Sequence, residues 1–574
     1  VLKQGAQSNG VGFSAIRIDG STILIDSNGT NNDSLRDSPS QIADQTDSGA
    51  GGTVVGNYCT LNPLVFSEPV LSNGNLEAGS NTAWKSAFGT IQMPSSGKWY
   101  FEATPASNLS IIGIAKIAPA SNTYIGGWAD SYGWYGNVGK VNGPSNTQTS
   151  YANFAANDVI GLAYDADAGT LSFYKNGVSQ GNAFTGLSGS FFPAISTYNG
   201  TIVANFGQRA FSYPVSGYKS LNTASLPTPT IADGSKYFDT KLYTGNGGSQ
   251  TISGLSFSPD FLWFKNRVAT KDPRLTDIIR GTQIELYSSS TSGNYAQSQG
   301  VTAFNSDGAT VGSDGGYNGS GQSMVLWAWD GGTSTVTNND GSIASQVRAQ
   351  PSAGFSIVTY SGNETGATVG HGLNAPLQMI WIKQTTNHST TGKGDGNWIF
   401  GHTGVGMGSG RLILNGTYTN DSGSGAAQHW NSTAATSSVF SVGNSGNVNG
   451  SNNAAYVAYC FAPVEGYSAA FSWSGNGNDN GSFIYLGFRP KFVIMKDINA
   501  SNNWQMLDAA RDPFNVTVAR LFPNQSVTEN SNTSNFDFLS NGLKARNQYT
   551  TSLANTNFIG FAFAEHPFKT ARAR

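Results

Sequence analysis

The chain has 574 residues, and few of them are types from which chemistry is built: five histidines, eight glutamates and two cysteines. The histidines are His371, His388, His402, His429 and His566, and no two have H-x-H, H-x₃-H or H-E-x-x-H spacing, so no zinc set can be read from them. Four lie between 371 and 429, mostly among Gly, Ser and Asn, and read as solvated loop histidines. A glycosidase needs two carboxylates facing each other across a groove. Glu102 and Glu565 have no acidic neighbour on the same strand face, and most Asp residues stand in turns such as Asp19-Gly20, Asp307-Gly308 and Asp340-Gly341. Asp165-Ala166-Asp167-Ala168-Gly169 begins like a calcium loop, but position twelve is Asn176 where a Glu is required, so a β-turn is the better reading. The segments 307–314 and 476–481 hold enough Asp and carbonyl groups to bind Ca²⁺, with the turn reading preferred. Gly245-Asn246-Gly247-Gly248 lacks the Lys-Ser/Thr ending of a phosphate loop. Cys59 and Cys460 sit among apolar, strand-like neighbours and read as buried free thiols. The expectation is therefore no catalytic residue, no metal and no cofactor.

What remains is aromatic. Trp128, Tyr132, Trp134 and Tyr135 cluster within eight residues, flanked by Gly126-Gly127 and Gly133. Rings beside polar loop residues suit recognition of a peptide or glycan. These four are the candidate ligand-binding residues. Trp128 and Tyr132 are the better candidates for exposure, with core the alternative for Trp134 and Tyr135.

Composition says what must position them. Charged residues are only 11% of the chain, aromatics reach 12%, and Gly numbers 72. The net charge of −3 with no Lys/Arg run argues against a nucleic-acid partner. No apolar run approaches a membrane span. The opening Val1-Leu2-Lys3-Gln4-Gly5 has neither an initiator Met nor a signal-peptide core, so the chain reads as processed or as part of something longer. Small polar residues, rings and Gly-bearing turns make all-β the expected class.

Along the chain, 1–55 is an N-terminal remnant and linker with one hairpin signal at Asp19-Gly20, followed by a polar stretch over 27–53. Dense strand signals run from 56 to 215, and Asn176-Gly177 carries the signature of a type I′ turn. Residues 216–235 contain Pro227-Thr228-Pro229 and read as a stiff linker. Three β-repeats follow, over 236–354, 355–466 and 467–574. Tyr243-Thr244-Gly245-Asn246, Tyr360-Ser361-Gly362-Asn363 and Trp473-Ser474-Gly475-Asn476 open them, and each closes on an aromatic–small alternation. These are Leu326-Trp327-Ala328-Trp329, Tyr456-Val457-Ala458-Tyr459-Cys460-Phe461 and Phe558-Ile559-Gly560-Phe561-Ala562-Phe563. The period of two puts one face of each closing strand in a core. The first and third repeats share an Asp-x-x-Arg (Asp277 to Arg280, Asp508 to Arg511) where the second has Phe400-Gly401-His402.

Two resemblances add to this reading. Lys98-Trp99-Tyr100-Phe101-Glu102, Gly133-Trp134-Tyr135-Gly136, Asp158 to Asp165 and Gly169 to Gly177 resemble a SPRY domain in order and spacing. That resemblance implies a bent two-sheet, concanavalin-like β-sandwich that binds ligands through loops at one end or face. The repeats and the ending Ala562-Phe563-Ala564-Glu565-His566-Pro567-Phe568-Lys569 resemble structural proteins of tailed phages. This second resemblance implies an elongated multi-domain virion protein: a SPRY-like sandwich plus three tandem β-sandwich-type repeats. Its function would be that of a tail fibre adhering to a host-surface glycan or protein. It also implies other virion proteins as partners, a homo-oligomer (a trimer by analogy), an external virion location, no membrane insertion and no enzyme activity. A head fibre or decoration protein, and a polysaccharide depolymerase, are the alternatives.

Overall fold

The computed structural model describes residues 15–18, 21–25, 57–65, 69–80, 82–116, 123–387, 394–450 and 454–570. Among them almost all regular structure is antiparallel strand. The expected linker over 27–53, and His388, lie outside the described residues. Ala15–Ile18 and Ser21–Ile25 pair as the hairpin expected around Asp19-Gly20, with Ile18 opposite Ser21. The chain divides into two units, Val1–Thr228 and Pro229–Arg574.

In the first unit two sheets form a sandwich. One has six strands, in the order Thr147–Thr149, Gly139–Asn142, Ser131–Tyr135, Ser110–Ala115, Phe192–Thr197 and Lys85–Phe88. The other has seven, with Lys98–Pro105 at its centre between Ile160–Asp165 and Gly200–Asn205. Both central strands are apolar on their inner faces, and Trp134 of one sheet lies 5.6 Å from Phe173 of the other. Asn176 and Gly177 have φ of 48° and 80°, so the turn between Lys175 and Val178 is the one their residue types favour. Glu102 is buried and accepts from the backbone N–H groups of Ser212 (2.9 Å) and Tyr213 (2.7 Å), which makes it an anchor for the chain after the last strand.

Within the stretch 216–235 expected as a stiff linker, residues 219–223 pair with the rest of the first unit. Cys59 N–H donates to Leu221 O, Thr223 N–H donates to Asn57 O, and Leu221 and Ser220 are buried. The polar side chains of this stretch hide its pairing from a composition reading; the Pro227-Thr228-Pro229 run alone falls at the boundary between units. Cys59 and Cys460 are buried free thiols, and burial pushes the Cys59 thiol up to about 12.

The second unit contains three stretches with one plan. In each, an opening strand pairs with the closing strand, which pairs with a lysine-bearing strand, which pairs with a fourth. In the first these are Phe238–Thr244, Ser323–Trp329, Phe261–Asn266 and Arg274–Asp277; in the second Phe355–Ser361, Ala455–Phe461, Met379–Gln384 and Ile399–His402; in the third Ser468–Ser474, Asn557–Pro567, Phe488–Asp497 and Gln505–Asp508. A smaller sheet covers one face of each. Register fixes equivalence: Trp263 lies opposite Trp327, Trp381 opposite Tyr459 and Ile494 opposite Phe561.

The closing strands are buried on both faces, and this explains their alternation. Leu326 and Ala328, like Ala458 and Cys460, pack under their own small sheets. The alternate rings meet in one core common to all three stretches. Phe261 stacks on Tyr459 at 4.2 Å, Phe238 on Phe563 at 4.8 Å, and Phe461 lies 5.4 Å from Phe561. The three stretches close on one another rather than following one another as separate sandwiches, because half of each one's apolar surface has no partner within its own stretch.

Polar groups buried in this core are handed round in a ring. Tyr459 Oη donates to Asp277 Oδ2 at 2.8 Å, and Arg280 Nε bonds the same oxygen. Trp327 Nε1 donates to Asp508 Oδ2 at 3.1 Å, with Arg511 Nε on that oxygen at 2.6 Å. At the third equivalent position Phe561 offers no polar atom. There His402 replaces the Asp: its Nδ1 accepts from Gly404 N–H, and its Nε2 bonds Gly560 O at 3.0 Å. First stretch thus contacts second, second contacts third and third contacts first. The His402 ring is buried and its pKa is pushed down to about 4.

Three lysines at equivalent places are buried as well. Lys265 donates to the carbonyls of Lys271 and Ser526, Lys383 to those of Ser290 and Gly396, and Lys496 to those of Asp497 and Ala500. Burial lowers their pKa values to about 8, 7 and 8 respectively.

Two predictions follow from this core. Tyr459→Phe removes two hydrogen bonds, to Asp277 and from Arg280, and should cost about 1–2 kcal/mol, while Arg280→Met strands a buried Asp277 and should cost at least about 3 kcal/mol, both read from urea melts. Equal costs would contradict this arrangement. His402 takes up its proton near 6.5 when unfolded but only near 4 when folded, so the unfolded state binds more protons between those values. Stability of the second unit should therefore fall as pH drops from about 6.5 to 4, and His402→Asn should flatten that slope relative to wild type.

Candidate functional site

The outer face of the six-stranded sheet carries a group of exposed and half-buried rings. Register lines up Tyr135, Ile111, Ser196 and Ser86 in one row across four strands. The two serines leave room above the sheet, and the chain at 123–126 lies there. Ser86 Oγ donates to Thr123 O and bonds Ser196 Oγ at 2.8 Å, and Ser196 Oγ accepts from Ile125 N–H at 3.0 Å. This pins Tyr124 beside Trp84, with ring centroids 5.5 Å apart. Tyr135 meets Trp84 edge-on at 5.3 Å, and Tyr198, on the turn after Phe192–Thr197, lies 5.7 Å from it. Tyr198 is 37% exposed, and the other three rings are half-buried. Burial raises the Tyr135 pKa, so its phenol stays protonated at neutral pH. Trp84 is therefore the hub of an aromatic ridge edged with tyrosine hydroxyls. Such a surface binds by ring contact and hydrogen bonding.

Of the four residues singled out in the sequence, only Tyr135 belongs to this ridge. The strand Ser131–Tyr135 alternates, so Tyr132 and Trp134 point the other way. Trp134 is fully buried, bonds Ala152 O through Nε1 and packs on Tyr151, Phe154 and Phe173. It is a core residue and cannot meet a ligand. Tyr132 is half-buried against Phe184 (5.3 Å) and Phe191 (6.0 Å), and it stands on a strand rather than a loop tip. Trp128 is half-buried, 5.9 Å from Phe88. Trp84, Tyr124 and Tyr198 were missed. The one signal for them was a ring on a tight turn, Tyr198-Asn199-Gly200, where Asn199 takes φ 50°.

The histidines also differ from expectation. His371, His402 and His429 are buried and hydrogen-bonded rather than solvated; His402 ends the strand Ile399–His402 and His429 lies in the short helix Ser424–Trp430. The carboxylates of the suspected calcium segments are engaged by backbone. Asp307 accepts from Gly254 N–H, Asp314 from Gly316 N–H, Asp479 from Gln548 N–H, and in the Asp165 loop Asp165 accepts from Ala168 N–H. Among the described residues no three His, Cys, Asp or Glu side chains gather as a metal site.

Residues 233–567 match a family described as a domain of unknown function, DUF7483. The chain belongs to the DUF7483 family. Residues 98–209 match the SPRY domain, so the first unit of this DUF7483 protein contains a SPRY sandwich. Similar curated proteins align with that part. A probable ATP-dependent RNA helicase ddx1 of Dictyostelium discoideum is 36% identical over 150 residues, 25% of this chain and 19% of the relative. An E3 ubiquitin-protein ligase RKP of Arabidopsis thaliana is 36% identical over 138 residues, 22% of this chain and 11% of the relative. Ran-binding protein 10 of Danio rerio is 35% identical over 131 residues, 22% of each chain. The alignments thus span no more than about a fifth of these relatives' length. Among solved structures, a human SPRY domain is 17% identical with a TM-score of 0.21, covering 24% of this chain and 93% of that one. These findings overturn the tail-fibre expectation together with its head-fibre and depolymerase alternatives: the relatives are SPRY-containing proteins of eukaryotes.

The ridge should be separable from the fold. Trp134→Ala should cost about 3–5 kcal/mol by opening a core cavity. Trp84→Ala, at a half-exposed site, should cost about 1 kcal/mol. Chemical denaturation followed by fluorescence checks both, and an unfolded Trp84→Ala protein would show that this ring is core.

Proposed function

We propose that the DUF7483 protein is a binding protein rather than an enzyme, and that its SPRY module grips an extended protein segment on the Trp84, Tyr124, Tyr135 and Tyr198 ridge. The observation that carries this reading is the ridge itself: four rings brought together from distant parts of the chain, one of them 37% exposed, on the face of a sandwich whose relatives point to protein interaction. The ring faces favour a segment bearing a proline or an aromatic side chain, which would lie against Trp84 while the tyrosine hydroxyls bond its backbone. Most buried ionisable groups of the second unit, Arg520 excepted, pair with one another or with backbone carbonyls, which supports binding over catalysis.

A peptide array probed with the full chain tests this. Selected peptides should bind at least tenfold more weakly to Trp84→Ala and Tyr198→Ala. Val178→Ala, on an exposed strand of the other sheet, should bind as wild type does. Unchanged binding in the two ring variants, with their fold intact by circular dichroism, would reject the ridge as the site.

A further inference from the structure

The third stretch holds a cleft of about 500 Å³, walled by Asn503 and by the segment 522–532. Its lining is rich in side-chain amides, and their bonding is one-sided. Asn503 Oδ1 accepts from both Asn524 Nδ2 (2.7 Å) and Gln525 Nε2 (3.0 Å). Asn530 Oδ1 accepts from Asn532 N–H at 3.1 Å. Each amide has a donor half and an acceptor half. Asn503 Nδ2, Gln525 Oε1 and Asn530 Nδ2 therefore remain without a partner among the described residues, and none of the three atoms is sealed from solvent. The bond between the first two side chains sets a donor and an acceptor side by side in one wall. Thr528, Ser531 and Asn532 are exposed and add two hydroxyls and another amide.

The wall carries no free charge. Glu529 is taken up by Arg267 through two bonds (2.9 and 2.7 Å) and by Arg511 at 2.9 Å. Phe522 is half-buried and Val527 is exposed, and they supply apolar surface among the polar groups. The segment is also held in place before any ligand arrives. Ser526 O accepts from Lys271 N–H and from Lys265 Nζ, Pro523 O accepts from Ser288 Oγ, and Glu529 N–H donates to Arg267 O. A wall fixed by the first stretch costs little ordering on binding.

We infer that this cleft binds a neutral saccharide. A hydroxyl both donates and accepts, so a sugar can answer amide N–H and amide C=O groups alike. Polar groups spread round the wall suit a ligand with hydroxyls round its rim, and the Phe522 ring suits the apolar face of a sugar. The volume falls in the range of small-molecule sites, about 300–1,000 Å³. The ligand is either a free disaccharide or the end of a longer chain. The site needs nothing of the SPRY ridge.

Saturation-transfer NMR titrations of the full chain with lactose, maltose, cellobiose and N,N′-diacetylchitobiose test the assignment. At least one should bind saturably, with the same affinity at low and high salt, as befits an uncharged ligand. Gln525→Leu keeps the bulk and removes both the acceptor and the bond that orients Asn503, so it should weaken binding about tenfold or more. If that variant fails to fold, Asn532→Ala, which removes an exposed side chain, should weaken binding instead. The matching tetrasaccharide separates the two sources: binding at least as strong marks a chain end, and weaker binding marks a free disaccharide. The proposal is overturned by the absence of saturable binding of all four sugars. It is equally overturned by full affinity in a folded Gln525→Leu protein, or in Asn532→Ala where the first variant does not fold.

Discussion

The rings of Trp329, Phe461 and Phe563 stand at matching places on three closing strands, and each of those strands is buried on both faces. One face needs the small sheet of its own stretch, and the other needs the neighbouring stretches. No stretch can therefore satisfy its apolar surface alone, and the three must assemble around a common centre. That constraint propagates to the polar atoms. A tyrosine or tryptophan brought into such a centre carries a donor whose burial costs less when it is bonded, although the indole N–H groups of Trp263, Trp329 and Trp381 in this centre have no partner. The Asp-x-x-Arg element of the neighbouring stretch answers it at Tyr459 and Trp327, and is absent where the ring is Phe561.

The same logic accounts for the scarcity of charge. Charges that lie in the second unit's interior are tied either to each other or to carbonyls, as with Lys265, Lys383 and Lys496. Burial taxes each of them, and the structure repays that cost with well-placed bonds. That burial lowers the pKa of all three lysines. Arg520 stands out, since it bears a full charge with one hydroxyl and an aromatic ring for company.

Much of the fold is legible in the sequence because it rests on local rules. The Asn176-Gly177 turn, the period-two strands and the recurring closing motifs all correspond to observed elements. A period of two says that one face is buried, but not which neighbour buries it, so the shared centre could not be read. Composition also fails where polar loops are packed. His371 and His429 lie in Gly-, Ser- and Asn-rich chain and are nonetheless enclosed, and 220–223 looks like a linker yet pairs with 57–59. The candidate site was legible only at Tyr135. Trp84, Tyr124 and Tyr198 are far apart in the chain and meet through strand register, which no local pattern encodes.

How the ridge can exist without disturbing the sandwich is settled by residue size beneath it. The strand Ser131–Tyr135 sends Trp134 inward and Tyr135 outward, so core and ridge draw on opposite faces. Ser86 and Ser196 are the smallest side chains able to bond the chain laid over them, and Gly133 clears the rest of the path. A Cβ at Gly133 would stand 2.9 Å from Ile125 Cγ2, too close for the segment that delivers Tyr124 to keep its place. The ridge is therefore held by small residues buried beneath it. A change at Ser86, Ser196 or Gly133 displaces Tyr124 while leaving Trp84 and Tyr135 on their strands, so the face would lose part of its shape before the sandwich lost its core.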